Sequence, residues 1–122
     1  MVSWYIAGME IKIITNPISQ KELGAMAASG FGDWIKAVVD VELKIIVVGA
    51  DLHADMEEAL LARGSEQKNL WGINLYPGRT DADWMVFDSM INVRPAQGNR
   101  SRGVENAAIQ EKIRTLIRAL IV

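Results

Sequence analysis

The sequence has no cysteine, a single histidine, three prolines and few aromatic side chains, 7% of its residues. Without cysteine there are no disulfides, no thiolate-bound metals and no cysteine nucleophile. One histidine, His53, rules out any metal site that needs two imidazoles. No apolar run approaches the roughly 18 residues of a membrane span, so no membrane partner is expected. The opening MVSWYIAG lacks the charged start and the length of a signal peptide, and a cytoplasmic protein is the expectation. What the chain does have is apolar residues: half of the 122 are hydrophobic and 23% are charged. That composition is globular, not disordered. A chain of this size buries about two thirds of its unfolded surface in one domain.

The net charge of −2 is unevenly spread. Residues 1–90 carry seven basic and thirteen acidic side chains, whereas residues 91–122 carry six basic and two acidic ones. A basic closing section on an acidic body calls for an anionic counterpart. That counterpart is the protein's own surface, a second copy, or an external phosphate-bearing ligand.

Each proline ends a run. Glu10 to Thr15 alternates and is β-branched, a strand stopped by Pro17. Ser19 with Glu22 forms a capping box, followed by a helix to about Ser29 with Gly30 as its left-handed cap. Trp34 to Val41 and Lys44 to Val48 predict a hairpin whose turn lacks the usual glycine or asparagine. Asp55 to Glu58 repeats the capping pattern and opens a helix that Gly64 stops. Leu70 to Tyr76 is a strand closed by Pro77, and Trp84 to Arg94 alternates for eleven residues before Pro95. In that last run Met85, Phe87, Ser89, Ile91 and Val93 form the expected core face. Asn106 caps a final helix with a stripe of Ile109, Ile113, Leu116, Ile117, Leu120 and Ile121. The order β-α-β-β-α-β-β-α reads as α+β: an antiparallel or mixed sheet of about five strands, with two or three helices packed on one face. Residues 1–8 are set apart as an N-terminal extension, and residues 9–122 form the single α+β domain.

Unusual polar residues concentrate between His53 and Arg102. Arg94, Arg100 and Arg102 share one loop with Gln97 and Asn99. Guanidinium forks suit phosphate or carboxylate, and the following helix start adds N–H donors. With Asn74 and Asn92 on neighbouring strands, these residues form the candidate binding set. The bland alternative is a solvated basic loop, since no glycine-rich phosphate fingerprint is present. His53, Asp55 and Glu58 offer an imidazole beside carboxylates, a candidate acid/base or metal site for a hydrolase. Asp55 and Glu58 are equally accounted for by helix capping, and no metal site is assigned. Trp71, Tyr76 and Trp84 are either a stacking platform beside the arginines or ordinary core. Trp84, Met90 and the apolar terminus Leu120-Ile121-Val122 suggest a self-association surface, that of a homodimer.

Five segments then recur in order: Lys36 to Asp40; Leu52-His53-Ala54-Asp55; Gly64-Ser65 with Gln67; Leu70 to Asn74 with Tyr76-Pro77; and Ile91 to Pro95 with Gln97 to Ser101. Together they resemble a family of small prokaryotic proteins catalogued only as a domain of unknown function. The likeness runs from about Met9 onward. It implies a self-contained unit and carries no activity, substrate or cofactor. The sequence therefore predicts a binding domain for an anionic ligand (a nucleotide, RNA or a phosphorylated metabolite), with a hydrolase or a homo-oligomeric interaction module as rivals.

Overall fold

Side-chain alternation along the strands decides what each face of the sheet must meet. The computed structural model describes residues 2–6 and 8–122. In chain order these form β1 (Val2–Ile6), β2 (Met9–Ile14), α1 (Gln20–Ala28), β3 (Ile35–Asp40), β4 (Ile45–Val48), α2 (His53–Ala62), β5 (Leu70–Leu75), β6 (Met85–Val86) and α3 (Ala107–Leu120). The strands lie in the order β1-β2-β4-β3-β5-β6, every neighbouring pair antiparallel. The fold is α+β. Its sixth strand comes from the opening segment, where Val2 to Ile6 pairs along its whole length with β2.

Ile35, Ala37 and Val39, with Ile46, Val48, Trp71, Ile73 and Leu75, point to the face covered by α1 and α3. Val38, Val47 and Leu70, with Ile11 and Ile13, point to the opposite face, where Met56, Ala59 and Leu60 of α2 cover them. The expected single covered face is thus corrected to two. The reason was visible in AVV and IIVV, which are continuous apolar runs and so need cover on both sides.

Local signals succeed where partners are close in sequence. The Ser19 hydroxyl accepts from the Glu22 N–H at 3.0 Å and Asn106 accepts from the Ile109 N–H at 3.0 Å. Gly64 ends α2 with φ +100°. Two details change. The left-handed residue after α1 is Gly32 and not Gly30. At α2, Leu52 is the N-cap residue and no side chain caps the helix, so the Asp55–Glu58 box does not form. Asp55 already sits in the first turn, where its charge suits the helix dipole. The hairpin turn is built by Asp40, whose carboxylate accepts from the N–H groups of Glu42 and Leu43 at 2.9 Å each.

The largest departure is the run Trp84 to Arg94. Only Met85–Val86 pairs with β5; the chain then leaves the sheet and makes 3-10 turns at Met90–Asn92 and Pro95–Gln97. Asn92 and Arg94, expected on the outer side, are buried. Asn92 takes over the missing ladder bonds. Its Oδ1 accepts from the Gly72 N–H at 2.8 Å, and its Nδ2 donates to the Gly72 carbonyl at 2.9 Å. A Cβ on Gly72 would stand 2.5 Å from the Ser89 Cβ, so only glycine lets this segment rest on the strand.

Candidate functional site

Three members of the predicted binding set turn inward. Arg94, 8% exposed, donates from Nε to the Ile91 carbonyl at 2.9 Å, from Nη1 to the Gln67 carbonyl at 2.7 Å, and from Nη2 to the Leu70 carbonyl. Its guanidinium lies over the Trp71 ring, 4.4 Å from the centroid. Burial holds its pKa below the usual arginine value, partly offset by the charge of Glu57. Asn99 is also buried. Its Nδ2 donates to the carbonyls of Asn92 at 2.7 Å and Gly103 at 2.8 Å, and its Oδ1 accepts from the Glu105 N–H at 2.8 Å. Together with Asn92, these side chains fasten the loop to the free edge of β5.

Three of the others face solvent. Gln97 and Arg100 are exposed, and Arg102 pairs with Asp88 at 2.6 Å. Asn74 lies apart from the loop tip. Its Nδ2 donates to the Asp88 carbonyl at 3.4 Å, and its buried Oδ1 has no partner among the described residues. Glu105 shows what the loop's backbone prefers. Its carboxylate accepts from the N–H groups of Arg100 at 2.5 Å and Ser101 at 2.8 Å. Those two donors, Ser101 first, hold the Glu105 pKa below the usual carboxylate range. Between the loop tip and the first turn of α3 lies a cleft of about 580 Å³, lined by Lys68, Trp71, Gln97, Gly98, Asn99, Glu105, Asn106 and Ile109.

His53 is 7% exposed and donates from Nε2 to the Ile73 carbonyl at 2.8 Å. A carbonyl only accepts, so the neutral ring keeps its lone pair on Nδ1. Burial pushes the imidazole pKa down, and the charges felt by the ring belong to Lys36, Asp88 and Arg102, not to Asp55 or Glu58. Asp55 is half-buried and Glu58 exposed. Among the described residues no group of three or more His, Asp or Glu side chains is placed to hold a metal ion. The Ser65 hydroxyl donates to Asp40 at 2.7 Å, which ties the loop after α2 to the hairpin.

Trp71 and Trp84 take the core alternative of the sequence expectation, and Tyr76 does not. Trp71 is core beneath Arg94, and Trp84 packs half-buried against the same core. Tyr76 stacks on Trp34 at 6.1 Å, and Phe31 stacks on Trp34 from beyond at 4.4 Å. Arg79 covers Tyr76 at 3.8 Å. Sequence reasoning missed this ladder because no periodicity marks it; the register Ile35↔Leu75 alone sets residue 34 beside residue 76. At the C-terminus Leu120 and Ile121 are buried, and the Val122 N–H donates to the Ile18 carbonyl at 2.8 Å. Met90 and Val122 remain exposed. No helix of the described residues is long and apolar enough to cross a membrane.

The segments that carry the family resemblance are those bonded to one another: Asp40 to Ser65, Asn92 to Gly72, Arg94 to Gln67 and Leu70, His53 to Ile73. Comparison with curated proteins and with solved structures finds no match. Residues 12–120 match the model of the family described as "Protein of unknown function (DUF5674)". That span holds β3 to β6, all three helices and the fastened loop, and the chain belongs to the DUF5674 family.

Proposed function

We propose that the chain is a binding module for a small phosphorylated metabolite or nucleotide, held in the cleft at the start of α3. The observation that carries this reading is the cleft itself, about 580 Å³ of space that brings Lys68 and Gln97 to the first turn of a helix. That volume lies within the range of small-molecule sites. The first-turn N–H groups of a helix have no acceptor within the helix and favour an anion. The neighbouring loop already holds one carboxylate, that of Glu105, on two backbone N–H groups. In this reading Arg94, Asn92 and Asn99 form the rigid frame. Lys68, Gln97 and the exposed Arg100 meet the ligand's charge.

The test is an NMR titration of the intact chain with inorganic phosphate and then with a panel of nucleoside monophosphates. Shifts should concentrate at residues 97–109 and weaken with added salt. Lys68→Ala should lower the affinity about fivefold to tenfold, while Arg102→Ala leaves it unchanged. Shifts that avoid the cleft, or full affinity in Lys68→Ala, would sink the proposal.

A further inference from the structure

A second cavity, of about 380 Å³, opens between the end of α1 and the β2–β4 pair. Among its lining residues are one aromatic ring, Phe31; two thioethers, Met9 and Met26; and three charges, Lys12, Glu10 and Asp51. Phe31 is the outermost ring of the ladder on Trp34 and is 43% exposed. The cavity wall is close-built. At Gly49, with φ +114°, a Cβ would fall 2.5 Å from the Glu10 carbonyl oxygen, so the two strands meet there without any side chain between them.

These groups select a ligand by elimination. The end ring of the ladder, with Lys36 Nζ 5.5 Å from its centroid but still 43% exposed, gains from another flat π-system, and sulfur atoms pack well against ring edges. Two carboxylates and the Lys12 ammonium line the cavity and the Lys36 ammonium lies over Phe31, so the charges balance and favour an uncharged ligand that brings N–H and O–H donors to the carboxylates. A flat ring with an exocyclic amino group and a hydroxyl-bearing substituent meets all three demands. We propose that this cavity binds an uncharged amino-bearing nucleoside, with adenosine as the type ligand. Its base stacks on Phe31 beside Met9 and Met26, its amino group donates to one of the carboxylates of Glu10 and Asp51, and its sugar hydroxyls donate to the other. This site shares no residue with the cleft at α3 and does not depend on the reading given for that cleft.

Isothermal titration calorimetry of the intact chain with adenosine tests it. Saturable binding is expected, lowered at least about tenfold by Phe31→Ala and untouched by Lys68→Ala. Inosine, which lacks the amino group, should bind several-fold more weakly. Phe31→Leu keeps an apolar side chain at this exposed position but removes the π-face, and it should lose affinity as Phe31→Ala does; circular dichroism verifies that both variants are folded. No saturable heat with adenosine up to several millimolar would overturn the proposal. So would unchanged affinity in both Phe31 variants, equal binding of inosine, or loss of adenosine binding in Lys68→Ala.

Discussion

Arg94 illustrates how one side chain's direction changes its meaning. A guanidinium presents five donors in a flat fork, and three backbone carbonyls from separate segments, those of Gln67, Leu70 and Ile91, converge on this one. Lysine places a single point charge where Arg94 spreads a plane, and it cannot reach all three acceptors. Arg94→Lys should therefore lower stability by about 2–4 kcal/mol, since buried carbonyls left unpaired cost more than an average hydrogen bond gains. Thermal melting should show a Tm lower by roughly 10 °C. Arg100→Ala, at an exposed position, should leave Tm within about 2 °C of the parent. Similar losses in both variants would mean that the fork is not what holds the loop. The three arginines of this loop look alike in sequence and do three different things: one is a buried clamp, one is free in solvent, and one is paired with Asp88.

At the scale of elements, the stretch of the β5 edge that β6 leaves unpaired is finished by side chains instead of by a strand. The Asn92 amide supplies both an acceptor and a donor to Gly72, as a residue of a neighbouring strand would, and its Nδ2 also donates to the Arg102 carbonyl at 2.9 Å. An exposed row of unpaired N–H and C=O groups invites pairing with another chain, and this loop closes it. Asn92→Asp keeps the shape, removes the donors and buries a charge against two carbonyl oxygens. The expected cost is about 2–4 kcal/mol, read as a lower urea midpoint. In Asn92→Leu, which removes the Oδ1 acceptor as well, hydrogen exchange at the Gly72 N–H should speed up beyond what the global loss explains. A variant with unchanged protection at Gly72 would show that the strand edge is held by packing alone.

For the whole molecule, charge and pH are linked through His53. Burial disfavours the charged imidazole, so its folded pKa lies below the ordinary value of 6.5 that the unfolded chain retains. Below that ordinary value the unfolded chain binds the extra proton first. The stabilising contribution is complete above about pH 6.5 and is lost as pH falls through that value toward the lower folded pKa. Urea midpoints measured between about pH 7.5 and pH 5 should therefore decline on the acid side. His53→Gln, whose amide N–H can still donate to the Ile73 carbonyl, should flatten that part of the decline. An equal slope in parent and variant would assign the acid sensitivity to other groups. The basic closing section, meanwhile, partly finds its anionic counterpart within the fold: Arg102 lies against Asp88.

The sequence by itself determined the features whose partners lie within a few residues. Ser19 caps toward Glu22, Asn106 caps toward Ile109, and the stripe Ile113-Leu116-Ile117-Leu120 buries one face of α3. Periodicity reports which residues leave water, and from that the α+β class follows. Only the tertiary structure decided where the polar side chains go. The bonds that define the loop and the candidate site join residues 20 to 27 positions apart: Asn92 to Gly72, His53 to Ile73, Arg94 to Gln67, Ser65 to Asp40. Asn92 and Arg94 read as solvent-facing because alternation counts only hydrophobicity. A buried amide or guanidinium is stable only if backbone acceptors from distant segments surround it. Nothing in the local pattern records which distant carbonyls will be left unpaired, so the inward turn of these side chains was settled only when β5 took its place in the sheet.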